Sequence, residues 1–369
     1  MRRTGVPLAA AAVVAVLLGG CTDSTSDRGA DAVEAAPVGV VAPDGLRVEV
    51  VAEDLPGPTQ LVALDEDTVL VAVLNGAEND GTGQVRRIDL ATGISEVVRD
   101  GLDKPTGIAW FDDELWVMER DRLSRGPLGA EATVVAENLP NNGRSQGTLT
   151  VTPDGSILFN TSGAKRGAAV TDGSGRLFTV DPAVDGATPE ELASGFKNAY
   201  AHAFDGDGTL WSTEMSDGSF DGEPAADEVV AVLPGADHGW PFCVGDNRAV
   251  AEFGGDDQRC ADVPRSQAVF APGATPTSVT LSPFEPDRLL VALWTQDRIV
   301  SVDITTDITT DATTDTAGDT AVDTAGDAVA PVTDLITGLD RPQHLAVAGE
   351  ALLISEFGTG RLLRVSAAG

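Results

Sequence analysis

Short runs of alternating apolar and polar residues dominate the chain from Leu46 onward. Gly, Pro and Asp bound these runs, and no long stretch shows the periodicity of an amphipathic helix. Alternation with a period of two places one side of a β-strand against a core and the other side towards solvent. The pattern therefore predicts an all-β fold.

The strand pattern repeats six times along the sequence. Each copy has a turn rich in Gly, Pro or Asn, an apolar strand, an acidic or Gly-containing turn, and a strand of the type Leu-x-Val. The copies begin at Leu55, Leu102, Leu139, Gly195, Gly273 and Leu339, and third and fourth strands follow in most of them. Six units of four strands predict a six-bladed β-propeller. A two-sheet sandwich is the alternative, but it does not predict six copies of one motif.

One strand precedes the first repeat. It is LRVEVV, which begins at Leu46, whereas the chain ends in the strand GRLLRV from Gly360. An unpaired sheet edge invites aggregation, so the early strand is expected to pair with the last one. The sequence thus predicts a ring closed by its two ends.

The first 45 residues do not fit the propeller. Residues 1–20 carry Arg2 and Arg3 before an apolar run, which is typical of a secretory signal. The Leu-Gly-Gly-Cys sequence that follows resembles a bacterial lipobox and predicts a lipid on Cys21; an ordinary signal peptide with a free Cys is the alternative. Residues 21–45 have the composition of a flexible tether. We therefore expect the protein outside the cytoplasm, attached to the membrane by its lipid anchor only.

A second segment interrupts the predicted propeller, which spans residues 46–369. From about 304 to 330 the chain is a Thr/Asp/Ala repeat without aromatic or basic residues. Such a segment cannot bury a core, which predicts a disordered acidic loop. A calcium-binding repeat is the alternative, but the Gly-rich nonapeptide pattern is missing.

Charge and cysteine content narrow the possible partners. Asp and Glu number 58 against 24 Lys and Arg, and the formal net charge is −34. Such a chain repels nucleic acid, which we exclude as a partner. Cys243 and Cys260 remain after Cys21, and in an oxidising compartment they predict a disulfide rather than free thiols or a metal pair.

Basic residues recur in the turns that precede the first strands of the repeats. In a propeller these strands line the central channel, so the turns project towards a common axis. Four of the six turns carry a cation: Lys104, Arg144, Lys197 and Arg341. The concentration predicts an anionic ligand. The alternative is that each cation pairs with a neighbouring carboxylate. His344 lies in one of the same positions and is the candidate general base.

The loop from Ser216 to Glu228 is rich in carboxylates and glycines. Asp217, Asp227 and Glu228 offer the oxygen ligands that calcium prefers. A solvated acidic loop is the alternative. The chain has no Gly-x-Ser-x-Gly motif, which argues against a serine hydrolase.

The stretch from Gly195 to Cys243 resembles the glucose/sorbosone dehydrogenase family. GFKNAYAHAFDGDGTLWSTEM, the Asp-Glu loop and GADHGWPFC follow one another as the family motifs do. The weaker resemblance extends from Leu46 to Val365. It implies a six-bladed propeller that binds pyrroloquinoline quinone (PQQ) and Ca²⁺ and oxidises an aldose, a sorbosone-like sugar or a polyol. The electron acceptor stays open.

The resemblance also implies roles for individual residues. Lys197 and Asn198 would contact the quinone, Arg341 would provide a second anion contact, and Gln146 lies in the corresponding turn of the third repeat. Asp217, Asp227 and Glu228 would belong to the calcium loop.

Five positions depart from the family pattern. Arg144 occupies the position of the catalytic histidine, and Gly163 that of the aspartate that orients it. Lys197 replaces an arginine, His238 replaces a tyrosine, and Trp294 stands where some members have a lysine. An arginine cannot act as a base at ordinary pH. We therefore expect a modified proton-transfer site that includes Arg144, with His344 as the substitute base.

Three functions remain on the sequence alone. The first is an exported quinone-dependent sugar or polyol dehydrogenase. The second is a non-catalytic propeller that binds a sugar, an anionic ligand or a protein. The third, a calcium-dependent lactonase-type hydrolase, shares the architecture but lacks the matching Gly-Trp-Pro turn.

Overall fold

A computed structural model describes residues 37–76, 80–143, 146–167, 169–184, 186–305 and 329–368. The predicted signal, Cys21 and most of the predicted tether lie outside these ranges. So do Arg144 and most of the Thr/Asp-rich insertion. Within the described ranges, no helix is long and apolar enough to cross a membrane.

The described strands form six four-stranded antiparallel sheets, the blades of a β-propeller, and the predicted fold is confirmed. Strand β1 (Leu46–Ala52) precedes the first blade, which contains β2 (Pro58–Ala63), β3 (Thr68–Val73), β4 (Gly83–Asp89) and β5 (Ser95–Leu102). The second blade contains β6 (Gly107–Phe111), β7 (Glu114–Met118), β8 (Arg122–Gly126) and β9 (Thr133–Glu137). The third contains β10 (Thr150–Val151), β11 (Ile157–Thr161), the inserted hairpin β12 (Lys165–Arg166) and β13 (Ala169–Val170), then β14 (Arg176–Val180) and β15 (Glu190–Ser194).

The remaining blades follow the same order. The fourth contains β16 (Ala199–Phe204), β17 (Leu210–Glu214), β18 (Asp227–Val232), a small hairpin of β19 (Cys243–Val244) and β20 (Arg248–Ala249), and β21 (Ser266–Phe270). The fifth contains β22 (Pro276–Leu281), β23 (Arg288–Leu293), β24 (Arg298–Asp303) and β25 (Val332–Thr337), and the sixth contains β26 (Pro342–Ala348), β27 (Ala351–Glu356) and β28 (Arg361–Ala367). Short helices lie at Ala251–Phe253, Asp257–Cys260 (α1) and Trp294–Gln296.

Strand β1 completes the sixth blade, as the sequence predicted. It pairs antiparallel with β28, with Leu46 opposite Ala367 and Val48 opposite Val365. Val48 and Val365 are buried in one apolar cluster between the fifth and sixth blades. The two ends of the propeller domain therefore share one sheet, and the ring has no open edge.

The second strand of the first blade is apolar on both faces because it lies between two neighbouring blades. In β3, Leu70 and Ala72 pack towards the second blade, whereas Val69, Val71 and Val73 pack towards the sixth. This explains why β3 is a continuous apolar run rather than an alternating one.

The first strands line the centre of the ring and are joined by their own polar side chains. Thr59 Oγ1 in the first blade donates to Pro105 O of the second at 2.8 Å. Gln60 Nε2 donates to Leu149 O at 2.8 Å, and Gln60 Oε1 accepts from Leu149 N at 3.0 Å and from Ile108 N at 2.7 Å. One glutamine therefore connects the first three blades.

Similar bonds continue around the ring. Leu61 N donates to His344 Nδ1 at 3.3 Å, which joins the first and sixth blades. Thr277 Oγ1 donates to Pro342 O at 3.0 Å between the fifth and sixth. Several residues that the repeat placed on the axis thus bind neighbouring blades instead of facing open space.

The predicted disulfide is confirmed. Cys243 and Cys260 are bonded, with their Cα atoms 5.7 Å apart. The bond ties strand β19 to helix α1 within the segment that connects β18 to β21. Phe220, Trp240 and Phe253 pack in the same segment, so the disulfide stabilises a small apolar cluster outside the blades.

Replacing Gln60 by Leu is expected to lower the free energy of unfolding by about 3 kcal/mol, because two buried N–H groups and one carbonyl lose their partner. The measurement is urea denaturation of the oxidised protein. Gln84→Leu, in β4 and only partly buried, is the control and should change stability by less than about 0.5 kcal/mol. Equal effects of the two variants would contradict a bridging role for Gln60.

Candidate functional site

The turn before β16 is held by a buried glutamate. We call the end of the ring at which the first strands begin the top face. There, the backbone amides of Lys197 and Asn198 donate to the Glu214 carboxylate, the latter at 3.1 Å. Asn198 Oδ1 accepts from Asn160 Nδ2 of the third blade at 3.0 Å. Backbone and side-chain bonds together fix the position of this turn.

Two other blades use the same arrangement but neutralise the glutamate. In the second blade Glu119 accepts from Asp103 N at 2.8 Å and is paired with Arg122. The corresponding residues of the sixth blade are Glu356, Asp340 and Arg361. The buried glutamate is therefore a repeated structural device.

The fourth blade differs because an acid takes the place of the arginine. The register of β17 and β18 puts Glu228 opposite Glu214. Burial, and next the charge of Glu228, raises the pKa of Glu214 well above its usual value. Burial also raises the pKa of Glu228, although Asp246 N and Ser266 Oγ donate to its carboxylate. Two buried carboxyl groups thus support the Lys197 turn without a guanidinium between them.

Two lysines interact electrostatically near this turn. Lys197 Nζ is 2.7 Å from Asp217 Oδ1. Lys165, on hairpin β12–β13, places its ammonium 3.1 Å from the centre of the Phe253 ring. Burial lowers the pKa of Lys165; Glu252 opposes this shift and the charge of Lys197 adds to it. Sequence reasoning missed Lys165, because the hairpin lies outside the repeated unit.

Arg341 lies at the top face of the sixth blade. Its Nε is 3.3 Å from Asp340 Oδ1, and its guanidinium lies 5.5 Å from the Trp294 ring centre and 5.6 Å from that of Phe357. Such cation–π contacts orient the guanidinium. Arg341 and Lys197 each pair with a nearby aspartate, as in the alternative interpretation of the cation ring.

Gln146 supports the loop that precedes β10. Its Oε1 accepts from Ser162 N at 2.7 Å and its Nε2 donates to Pro140 O at 3.0 Å. The residue is fully buried. We therefore assign it to holding this loop, which also carries Arg144, rather than to contact with a ligand.

Gly163 permits two loops to approach closely. Its N donates to Lys197 O at 2.7 Å. A Cβ at this position would lie 2.7 Å from Phe196 O and 2.8 Å from the Trp240 ring. The close packing explains why no aspartate occupies this position.

The three predicted calcium ligands bind different partners. Asp227 accepts from Ser216 N and Thr275 N, both at 2.8 Å, while Glu228 and Asp217 make the contacts given above. In the part of the chain that the structure describes, no three His, Cys, Asp or Glu side chains come together to hold a metal ion. The residues therefore do not fit a calcium cage built from side chains.

All three histidines are neutral at neutral pH because burial lowers their pKa. The pKa of His344 falls to about 3. Those of His202 and His238 fall to about 4. His344 lies within the channel and its Nδ1 already accepts from Leu61 N, while His238 stacks on Phe196 at 4.4 Å. Each of the three is a weak base, and His344 serves the ring as a hydrogen-bond acceptor.

Residues 147–315 match the family described as Glucose / Sorbosone dehydrogenase, which confirms the resemblance predicted from the sequence. The matched region contains Lys197, Asn198 and Glu214. No curated protein matches the sequence at a significant level.

Solved structures share the fold at low sequence identity. The PQQ-bound aldose sugar dehydrogenase of Streptomyces coelicolor is 18% identical with a TM-score of 0.62, covering 89% of this chain and 100% of that one. The PQQ domain of pyranose dehydrogenase from Coprinopsis cinerea is 15% identical with a TM-score of 0.67, covering 90% and 98%. The apo form of the soluble aldose sugar dehydrogenase of Escherichia coli is 15% identical with a TM-score of 0.63, covering 88% and 100%. At these identities the likeness establishes the six-bladed fold.

The buried His344 is expected to make the protein acid-sensitive. The pKa of His344 is about 3 in the fold against 6.5 in the unfolded chain. Its contribution to the free energy of unfolding is therefore complete above pH 6.5 and is lost as the pH falls towards 3. Between pH 7 and 5 this linkage removes about 2 kcal/mol of stability. His344→Gln keeps an acceptor for Leu61 N. Over the same interval its free energy of unfolding should fall by about 2 kcal/mol less than that of the unaltered protein.

Urea denaturation of both proteins at the two pH values measures this difference. The carboxyl groups are common to both, so their contributions cancel in the comparison. An equal loss in both proteins would show that His344 is not held neutral by the fold.

Proposed function

We propose that this protein is an exported, lipid-anchored dehydrogenase that oxidises a sugar or polyol with PQQ as its cofactor. The observation that supports it most is the Lys197–Asn198 turn, which lies in the family-matched region and is fixed by Glu214. Export and lipidation at Cys21 rest on the sequence of residues 1–21 alone.

The charges at the top face suit the three carboxylates of PQQ. Lys197 and Lys165 are close enough for their positive charges to repel, and this repulsion contributes to the lowered pKa of Lys165. An anion between them would remove the repulsion. Arg341, beside the Trp294 and Phe357 rings, adds a third cation at the same face. Lys197, Lys165 and Arg341 would therefore hold the cofactor.

When bound, the quinone supplies the acceptor for a hydride from the alcohol carbon. The hydroxyl proton needs a base of this chain. Asp217 is 2.7 Å from Lys197 Nζ, so a cofactor carboxylate that binds Lys197 would weaken this ion pair, and Asp217 is the carboxylate that we propose accepts that proton. Asp217 then replaces His344 as the proposed base, because His344 is buried and already bonded to Leu61 N. No step is assigned to calcium, because its predicted ligands do not come together.

A non-catalytic propeller that binds a sugar or an anionic ligand is the second candidate. The specific observation in its favour is that all three histidines are neutral and weakly basic. In addition, Gly163 leaves no room for the aspartate that would orient a catalytic histidine. The same cations would serve anion binding without turnover.

Lys197→Ala is expected to weaken PQQ binding at least tenfold, because it removes a charge-assisted contact to a cofactor carboxylate. Absorbance titration measures the affinity. Arg87→Ala is the matched control, since it removes one cation from an exposed pair with Glu96, and it should bind as the unaltered protein does. If Lys197→Ala binds normally, the turn is not the cofactor site.

Asp217→Asn should bind PQQ at least as tightly, because it no longer competes for Lys197. Turnover with aldoses and polyols should fall about 100-fold or more if Asp217 accepts the proton. The assay follows reduction of an artificial electron acceptor by protein loaded with PQQ and Ca²⁺. Retained turnover in Asp217→Asn would contradict the role of Asp217 as the base.

The same two assays on the unaltered protein distinguish the two candidate functions. PQQ binding with turnover supports the dehydrogenase. Binding without turnover of any sugar or polyol supports the non-catalytic propeller. Absence of PQQ binding would overturn the proposed cofactor.

A further inference from the structure

The opposite end of the central channel contains a cavity of about 440 Å³. We call it the bottom cavity. It is bounded by the later residues of β16, β22 and β26, from the fourth, fifth and sixth blades, and by residues 148 and 150 of the third. Its volume falls within the range of about 300–1,000 Å³ that is usual for small-ligand pockets.

The bottom cavity is separate from the top-face site. Lys197 and Arg341 precede the first strands of their blades, whereas the bottom cavity lies where those strands end. Between the two ends, Gln343 Nε2 donates to Tyr200 OH at 3.2 Å across the channel. Gln60, which borders the bottom cavity, connects three blades. These buried polar side chains are bonded to one another or to backbone groups of neighbouring blades.

The lining is polar but uncharged. Among the described residues that line it, none is Asp, Glu, Lys or Arg, although the chain has 82 such residues (58 acidic and 24 basic). Its polar groups include the hydroxyls of Thr148, Thr150, Thr280 and Ser282. Burial of an ion here would leave it without a partner, which costs several kcal/mol. An anionic or cationic occupant is therefore disfavoured.

The two histidines at the bottom cavity have defined hydrogen-bonding roles. His202 Nε2 lies 3.0 Å from Ala199 O, so it carries the ring hydrogen. Its Nδ1 is left as a buried acceptor without a partner among the described residues. His344 Nδ1 accepts from Leu61 N, which leaves the hydrogen on Nε2. The His344 ring N–H is therefore the histidine group left to donate at the bottom cavity, whereas His202 Nδ1 is a buried acceptor behind the wall.

Apolar groups form the rest of the wall. Phe204, Leu281 and Leu345 line the bottom cavity beside the hydroxyls. An occupant that matches both surfaces has several hydroxyl groups and an apolar C–H face, and it carries no charge. We propose that the bottom cavity binds a neutral sugar or polyol, as a second site distinct from the top face. The proposal does not depend on PQQ binding, because no top-face cation takes part in it.

The test uses the protein without PQQ, with glucose and sorbitol as probes and saturation-transfer NMR and calorimetry as measurements. Val347→Trp fills the bottom cavity from its rim and should weaken binding at least tenfold. Val332→Trp is the matched control: its side chain is also 37% exposed, but it lies on the outer strand β25 and not in the bottom cavity. It should bind as the unaltered protein does.

Two further variants locate the site and test its chemistry. Thr280→Val removes one hydroxyl with little change in shape and should weaken binding about three- to tenfold. Lys197→Ala should leave it unchanged. Thermal unfolding of each variant confirms that the propeller is intact.

Several results would overturn the proposal. One is the absence of binding of both probes at millimolar concentration. Another is binding that survives Val347→Trp or is lost in Lys197→Ala, which would place it at the top face. A third is preference for a sugar acid or sugar phosphate over the neutral probes, which would contradict the uncharged character of the bottom cavity.

Discussion

The hydrogen bonds that first-strand side chains make to neighbouring blades are the constraint on which the molecule depends. A blade exposes backbone N–H and C=O groups of its innermost strand to the channel, and burying them without partners costs about 1–3 kcal/mol each. Gln60 satisfies groups of the second and third blades, and His344 satisfies an amide of the first. Since every blade needs a neighbour on both sides, the ring is stable only when closed. Strand β1 supplies that closure.

The same constraint determines where chemistry can take place. Polar side chains of the first strands are already bonded within the ring, which has a charged top face and an uncharged cavity at the bottom. At the top, a buried glutamate fixes the turn before the first strand in three blades. In the second and sixth blades this glutamate pairs with an arginine. In the fourth blade a second glutamate lies opposite it instead. Lys197 is paired with Asp217 at this turn and interacts electrostatically with Lys165.

The relation to sugar dehydrogenases and the chemistry of the top face both favour binding of an anionic ligand. The two agree less well on how a proton would be transferred. The family-matched region contains the Lys197–Asn198 turn, and the top-face cations suit a carboxylated quinone. Under the proposed function, proton transfer is where this protein would depart from the expected pattern. Gly163 lies too close to Trp240 to carry a side chain, and the histidines are neutral within the fold. A carboxylate such as Asp217, now paired with Lys197, is the group whose state a bound anion would change.

The sequence by itself determined the all-β class, the six repeats, the closing strand at Leu46 and the disulfide, because these follow from local periodicity, repetition and the number of cysteines. It also identified the Lys197–Asn198 turn through the family motif. Only the tertiary structure decided which polar side chains face a ligand and which bond to another blade. Gln60 and Leu149 are 89 residues apart in the chain, and Lys165 approaches Lys197 from a hairpin outside the repeat. Distances between blades and the burial of each group, neither of which is encoded in local sequence, determine those roles.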